Sequence, residues 1–183
     1  MLIRVIFFLL CAAGFINSCN SLISLQVGTH KLRSFTVEEI EKNGIKDADY
    51  IEITDANIPA EFIQSPIQKT GDKAMIIYPI LSSPQSTYPS KFIKIIAWEE
   101  KEETACIEQK NCLIPGVKRI TGVVRPIKKR RNTAGQLAAV FGKQLAKNPV
   151  YIKVGETPIA WYWHALVMLL TAGAILLMEA KRF

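Results

Sequence analysis

The sequence predicts an α+β protein. A small β-rich domain, barrel-like or an open sheet, carries one or two helices and lies between an N-terminal signal or anchor segment and a C-terminal transmembrane helix. Three observations carry this. Twenty residues, Ile159 to Met178, lack Asp, Glu, Lys and Arg altogether; at about 1.5 Å per residue they match a hydrocarbon core of about 30 Å. A shorter apolar run, Val5 to Ile16, follows Arg4 near the start. Between the two lie several apolar or alternating segments, separated by turn-rich stretches. With 183 residues, 49% hydrophobic and 21% charged, the chain is too charged for a polytopic membrane protein and too rich in Ile, Val and Leu for a disordered one.

The leader has a basic start, twelve apolar residues and a polar stretch from Asn17 to Ser21, which is the make-up of a signal-peptide core and short for a span. Three outcomes follow from it: an uncleaved signal anchor reaching Val27, cleavage near Cys19-Asn20-Ser21, or lipid attachment at Cys19. At the other end, Trp161, Tyr162 and Trp163 form an interfacial aromatic belt, and Lys181 and Arg182 close the span. His164 lies one turn inside that belt and reads as an interfacial residue. The expected organisation is residues 1–27 as signal or anchor, 28–158 as the domain, 159–178 as the membrane helix and 179–183 as a cytoplasmic tail. The signal-like leader places the domain on the extracytoplasmic side, periplasmic or lumenal.

Within the domain, Ser34 to Glu41 offers a Ser or Thr cap with glutamates in the first turn, and Asn43-Gly44 ends that helix. Tyr50 to Thr54 alternates as a half-buried strand does, Ala74 to Leu81 is a fuller apolar run, and Phe92 to Trp98 is a third strand. Pro79 implies an edge or a bulge. Arg119 to Pro126 reads as a fourth strand with a bulge at Gly122, and Val150 to Val154 as a fifth. Thr133 to Lys147 has Leu137, Val140, Phe141 and Leu145 at helical spacing and a stop at Asn148-Pro149.

Chemistry is sparse in this pattern. A hydrolytic nucleophile system would have to use His30, and nothing in the sequence pairs with it. Glu99-Glu100 and Glu102-Glu103 around Lys101 read as a solvated acidic loop. Cys106 and Cys112 have the spacing of a disulfide across a hairpin, of two buried thiols, or of a redox pair. From Leu113 to Gly155 there are ten basic residues and no acid, whereas Glu38 to Glu61 holds eight acids. Lys128, Lys129, Arg130 and Arg131 stand just before a predicted helix start, where the dipole disfavours cations. They mark either an anion- or lipid-binding patch or a wet loop that balances the acidic half. Aromatic residues do not interleave with that cluster, which argues against nucleic acid. No catalytic, cofactor-binding or metal-binding residues are expected, and no cofactor.

The succession of a short leader span, TVEEIEKNGIKDADYIEIT, the IIYPI run, the Gly122 strand, VYIKVGETP and a terminal span resembles bacterial two-span membrane proteins of unknown function. It is also similar to the domain between the two spans of a mitochondrial RING ubiquitin ligase. That ligase carries its RING after the second span, whereas this chain ends at Phe183, so the resemblance implies architecture and no ligase activity. The expected function is that of a non-enzymatic, membrane-anchored protein, an accessory subunit of a membrane complex or an envelope scaffold, with the membrane and another membrane protein as partners. The alternatives are a redox or hydrolytic enzyme using Cys106/Cys112 or His30, and a domain that senses anionic lipid.

Overall fold

A computed structural model of the chain describes residues 2–65, 73–82, 92–101, 113–127, 140–141 and 145–180. In chain order these form α1 (Leu2–Val27), β1 (Arg33–Phe35), α2 (Val37–Asn43), β2 (Tyr50–Ile58), β3 (Ile63–Ser65), β4 (Ala74–Pro79), β5 (Ile93–Lys101), β6 (Gly116–Val124), β7 (Leu145–Val154) and α3 (Trp161–Ala180). They belong to two compact units, one comprising Met1–Lys31 with Thr157–Phe183, the other Leu32–Glu156.

The second unit is a seven-stranded open sheet in the order β1-β2-β6-β7-β5-β4-β3. Neighbours run antiparallel except β1 with β2 and β5 with β7, which are parallel. The sheet curls far enough for Asn57, near the end of β2, to bridge Leu81 just past β4, with paired N–H···O bonds of 3.1 and 3.0 Å. One cross-strand row joins Arg33 to Ile51, Ile51 to Gly122 and Gly122 to Val154. The first residue of β1 and the last of β7 therefore share one end of the sheet.

Both faces of the central strands are covered. One core gathers Ile51 and Ile53 of β2, Ile76 and Tyr78 of β4, Ile95 and Ala97 of β5, Ile120 of β6 and Ile152 of β7, together with Val37 and Ile40 of α2. The other gathers Ile63, Met75, Ile77, Ile93, Ile96, Trp98 and Phe141. All six residues of β4 are buried, which is why AMIIYP reads as a continuous apolar run rather than an alternating one. Pro79 is compatible with this interior strand because β3 pairs only with Met75 to Ile77, so the missing N–H falls beyond the reach of a neighbour. The edge-like position expected of Pro79 is thus met at the strand end, without a bulge there.

The capping signals of α2 are realised in full. Thr36 Oγ1 accepts from the Glu39 N–H at 3.2 Å and Glu39 Oε2 accepts from the Thr36 N–H at 2.8 Å. Gly44, at φ 67°, closes the other end by donating to the Ile40 carbonyl at 3.0 Å. A further free N–H, that of Val37, donates to Asp55 Oδ1 at 2.8 Å. Asp55 is aimed there because the β2–β6 register shifts between Ile53 and Ala56, a bulge that turns the side chain toward the helix. Thr36→Ala should cost about 1 kcal/mol of unfolding free energy, visible as a fall of a few degrees in the thermal midpoint, and Thr36→Ser should restore most of it.

Three expectations are corrected. Gly122 is not a bulge: it sits in regular register with Ile51 and Val154, and a Cβ there would lie 2.3 Å from the Lys153 carbonyl oxygen. The predicted helix over Thr133 to Lys147 does not reach its expected end. Val140 and Phe141 are helical, but Leu145 to Lys147 already belong to β7. There, Ile93 pairs with Leu145 and Ile95 with Val150, so the β7 chain loops out between them and carries Asn148-Pro149 through without needing the proline N–H. Finally, Glu99, Glu100 and Lys101 are the end of β5 rather than a loop. Cys106, Cys112, Lys128, Lys129, Arg130, Arg131, Lys181 and Arg182 lie outside the described residues.

Candidate functional site

Within the first unit, α1 and α3 pack antiparallel. Gly14 faces Thr171, where an added Cβ would meet Cγ2 at 3.1 Å, and Cys19 Sγ lies 3.4 Å from Met168 Sδ. Val5, Phe8 and Leu9 share a pocket with Met178 and Glu179, and Arg4 lines the same pocket. The α1 residues turned toward α3 include Cys11, Gly14 and Ser18, with Cys11 and Ser18 buried. Small residues at this spacing let two backbones approach closely, which is how helices associate where the surroundings are as apolar as the side chains. Thr171 adds no unsatisfied hydroxyl, since it donates to the Val167 carbonyl at 2.8 Å. Both helices are long and apolar enough to cross a membrane.

The polar stretch Asn17 to Ser21, expected to end the apolar segment, is helical throughout and α1 continues to Val27. Cys19, the candidate lipidation residue, is half-buried on the α3 side, and both Cys11 and Cys19 are free thiols. Trp161, Tyr162 and Trp163 open α3, all exposed, with ring centroids 6.3 and 5.7 Å apart in sequence order. Consecutive residues on a helix point about 100° apart, so the three rings form a collar rather than a patch. His164 follows directly and is half-buried.

Among the described residues of the sheet unit, the densest polar arrangement surrounds Lys153 and has almost no local sequence signal. Lys153 of β7 lies 3.2 Å from Glu100 Oε2 and 3.3 Å from Glu156 Oε2, and Glu156 Oε1 is 2.5 Å from Arg125 Nη1. Beneath them is Trp98, whose ring centroid is 5.0 Å from Lys153 Nζ and whose Nε1–H donates to the Arg125 carbonyl at 3.0 Å. Register explains the meeting: Trp98 pairs with Lys153 across β5 and β7, and Lys153 with Val123 across β7 and β6. Burial alone disfavours the Lys153 ammonium, but the Glu100 and Glu156 carboxylates more than reverse this and hold its pKa above the ordinary lysine value. Nearby, burial first and the Glu99 charge second push the Tyr78 phenol well above its usual range. Elsewhere on the surface, Arg33 Nη1 donates to Asp47 Oδ1 at 2.7 Å, and that hydrogen bond holds the Asp47 carboxyl below the usual aspartate value.

These contacts are ion pairs closed on one another; Arg119, which reaches Glu52 at 3.7 Å, links the basic stretch to the acidic one of Glu38 to Glu61. Of the five described basic residues between Leu113 and Gly155, Arg119, Arg125 and Lys153 are engaged in this way. Among the described residues no three His, Cys, Asp or Glu side chains gather as a metal-binding group. His30 belongs to the helical unit, just past α1. Local sequence signals only the Lys153/Glu156 spacing of this cluster, because Glu100 and Arg125 are brought to Lys153 by the pairing of β7 with β5 and β6. Compared with protein-family models, with curated proteins and with solved structures, the chain matches none.

Proposed function

We propose that the chain is a two-span membrane protein that presents its β-rich domain, residues 28–158, at one membrane surface, as a non-enzymatic accessory subunit of a membrane complex or as an envelope scaffold. The observation that carries this reading is the antiparallel pair of long apolar helices that brackets the domain in sequence. If both helices cross, both chain ends lie on one side and the whole domain on the other. The signal-like leader favours the extracytoplasmic side for the domain; the basic residues do not decide it, since Arg4, Lys181 and Arg182 on one side are matched by Lys31, Arg33, Lys147 and Lys153 on the other. The continuity of α1 through Val27 favours an anchor that is kept. The collar of Trp161, Tyr162 and Trp163 supports an interfacial level at the start of α3.

Two measurements test it together. The membrane-bound chain should resist extraction by alkaline carbonate, with the leader mass retained. In spheroplasts or sealed vesicles, protease added from the extracytoplasmic side should digest residues 28–158 while a tag after Phe183 is protected. Release by carbonate overturns the spanning reading, and protection of the domain overturns its orientation.

A further inference from the structure

Asn17 and Asn20 are exposed on α1; at about 100° per residue Asn20 lies opposite the face of Cys11, Gly14 and Ser18, and Asn17 on the flank of that face. Steps of four, three and four residues put Ala13, Asn17, Asn20 and Ser24 on one stripe of the helix. The contacts of α1 with α3 fix their level. Cys19 meets Met168 and Gly14 meets Thr171, so Asn17 lies between those two levels and Asn20 one residue beyond Cys19, both farther along α3 than the Trp161 to Trp163 collar. Neither amide has a hydrogen-bond partner among the described residues. In a bilayer this places two carboxamides against hydrocarbon, where an unpaired polar group is costly and interhelical hydrogen bonds are the usual remedy.

We propose that this stripe is the contact through which two copies of the chain associate side by side in the membrane, the α1 helix of one copy against that of the other. The proposal rests on the reading that α1 and α3 span. A second copy is the occupant that the chemistry favours. A carboxamide carries both donors and an acceptor, so identical asparagines satisfy one another across a two-fold axis, whereas a stripe of charged residues would repel its own copy. Ala13, Asn17 and Asn20 line one side of a shallow groove that runs past Ile16 and Ile23 round to Phe15 and Cys19, and the facing helix can settle against it. The exposed residues of α3 at the same levels, Val167, Leu169 and Leu170, offer amides nothing to bond, which directs the contact to α1.

The test uses the full chain in lipid vesicles, with separately labelled copies and energy transfer followed as lipid is added in increasing excess. The wild type should associate; Asn17→Leu with Asn20→Leu should weaken association by about tenfold or more, and Asn17→Gln with Asn20→Gln should retain it. A wild type that is monomeric at every dilution, or a leucine variant that associates as the wild type does, overturns the proposal. So does a chain that is monomeric when pure but held to a different membrane protein through Asn17 and Asn20. Carbonate extraction of the same samples separates the two readings: a monomer that stays in the bilayer sinks the self-association alone, while a chain that is extracted sinks the spanning reading beneath it.

Discussion

Replacing Trp98 by Ala should lower the unfolding free energy of the sheet unit by about 4 kcal/mol, within the range of large aromatic deletions from well-packed cores. Trp98 is 4% exposed and packs with Ile77, Ile96 and Phe141. Its loss leaves a cavity between β5 and the 140–141 segment, strips the Arg125 carbonyl of its donor and removes the ring beneath Lys153. Trp98→Phe keeps most of the burial and should cost about 1–2 kcal/mol, chiefly the unmet carbonyl. The check is the temperature at which residues 32–156 become cleavable by protease in the detergent-solubilised chain. That midpoint should fall by at least about 10 °C for Ala and by much less for Phe. Equal shifts for the two variants would show that the hydrogen bond, and not the ring volume, dominates.

A comparable loss, about 3 kcal/mol, is expected for Gly122→Ala. The added methyl would stand 2.3 Å from the Lys153 oxygen, 2.9 Å from its carbonyl carbon and 2.9 Å from Ile152 Cγ2. Two of these three atoms are backbone, so relief requires β6 and β7 to part where they pair only from Gly122 to Val124. Gly173→Ala is the matching control, because a Cβ there meets nothing within 4 Å. The same proteolytic midpoint should drop for Gly122→Ala and stay put for Gly173→Ala; an unchanged midpoint for Gly122→Ala would mean that the strands are not so close.

The elements legible in the sequence are those whose signals are local. A Ser or Thr cap followed by glutamates, and Asn43-Gly44 at the other end, announce α2, and the structure uses Thr36 with Glu39 and Gly44 for the two caps. The run around Ile76 announces a strand buried on both faces, and the alternation at Ile51 and Ile53 announces one strand of the first core. What escaped depends on partners. β1 and β3 are three residues each, too short to show a period, and exist because β2 and β4 offer them edges. Leu145 to Lys147 continue the helical spacing of the preceding segment and are taken into the sheet by the pairing of Leu145 with Ile93. The Asn17 to Ser21 stretch looks like a terminator by hydropathy, yet Ser18 is buried against α3; a residue that is polar to solvent is simply small to a neighbouring helix. The Lys153 cluster is the extreme case, assembled across three separate parts of the chain.

The row that runs from Arg33 through Ile51 and Gly122 to Val154 has a consequence for modularity. Strands in a sheet lie about 4.8 Å apart, so the points where the chain enters and leaves this unit are separated by about 14 Å, only a little more than the 8–10 Å typical between axes of packed helices. A domain with such neighbouring ends can be inserted into, or excised from, the turn of a helical hairpin without stretching either helix. Residues 32–156 thus have the geometry of a cassette, one that a short Gly-Ser connection could replace and that another hairpin with a similar gap could accept.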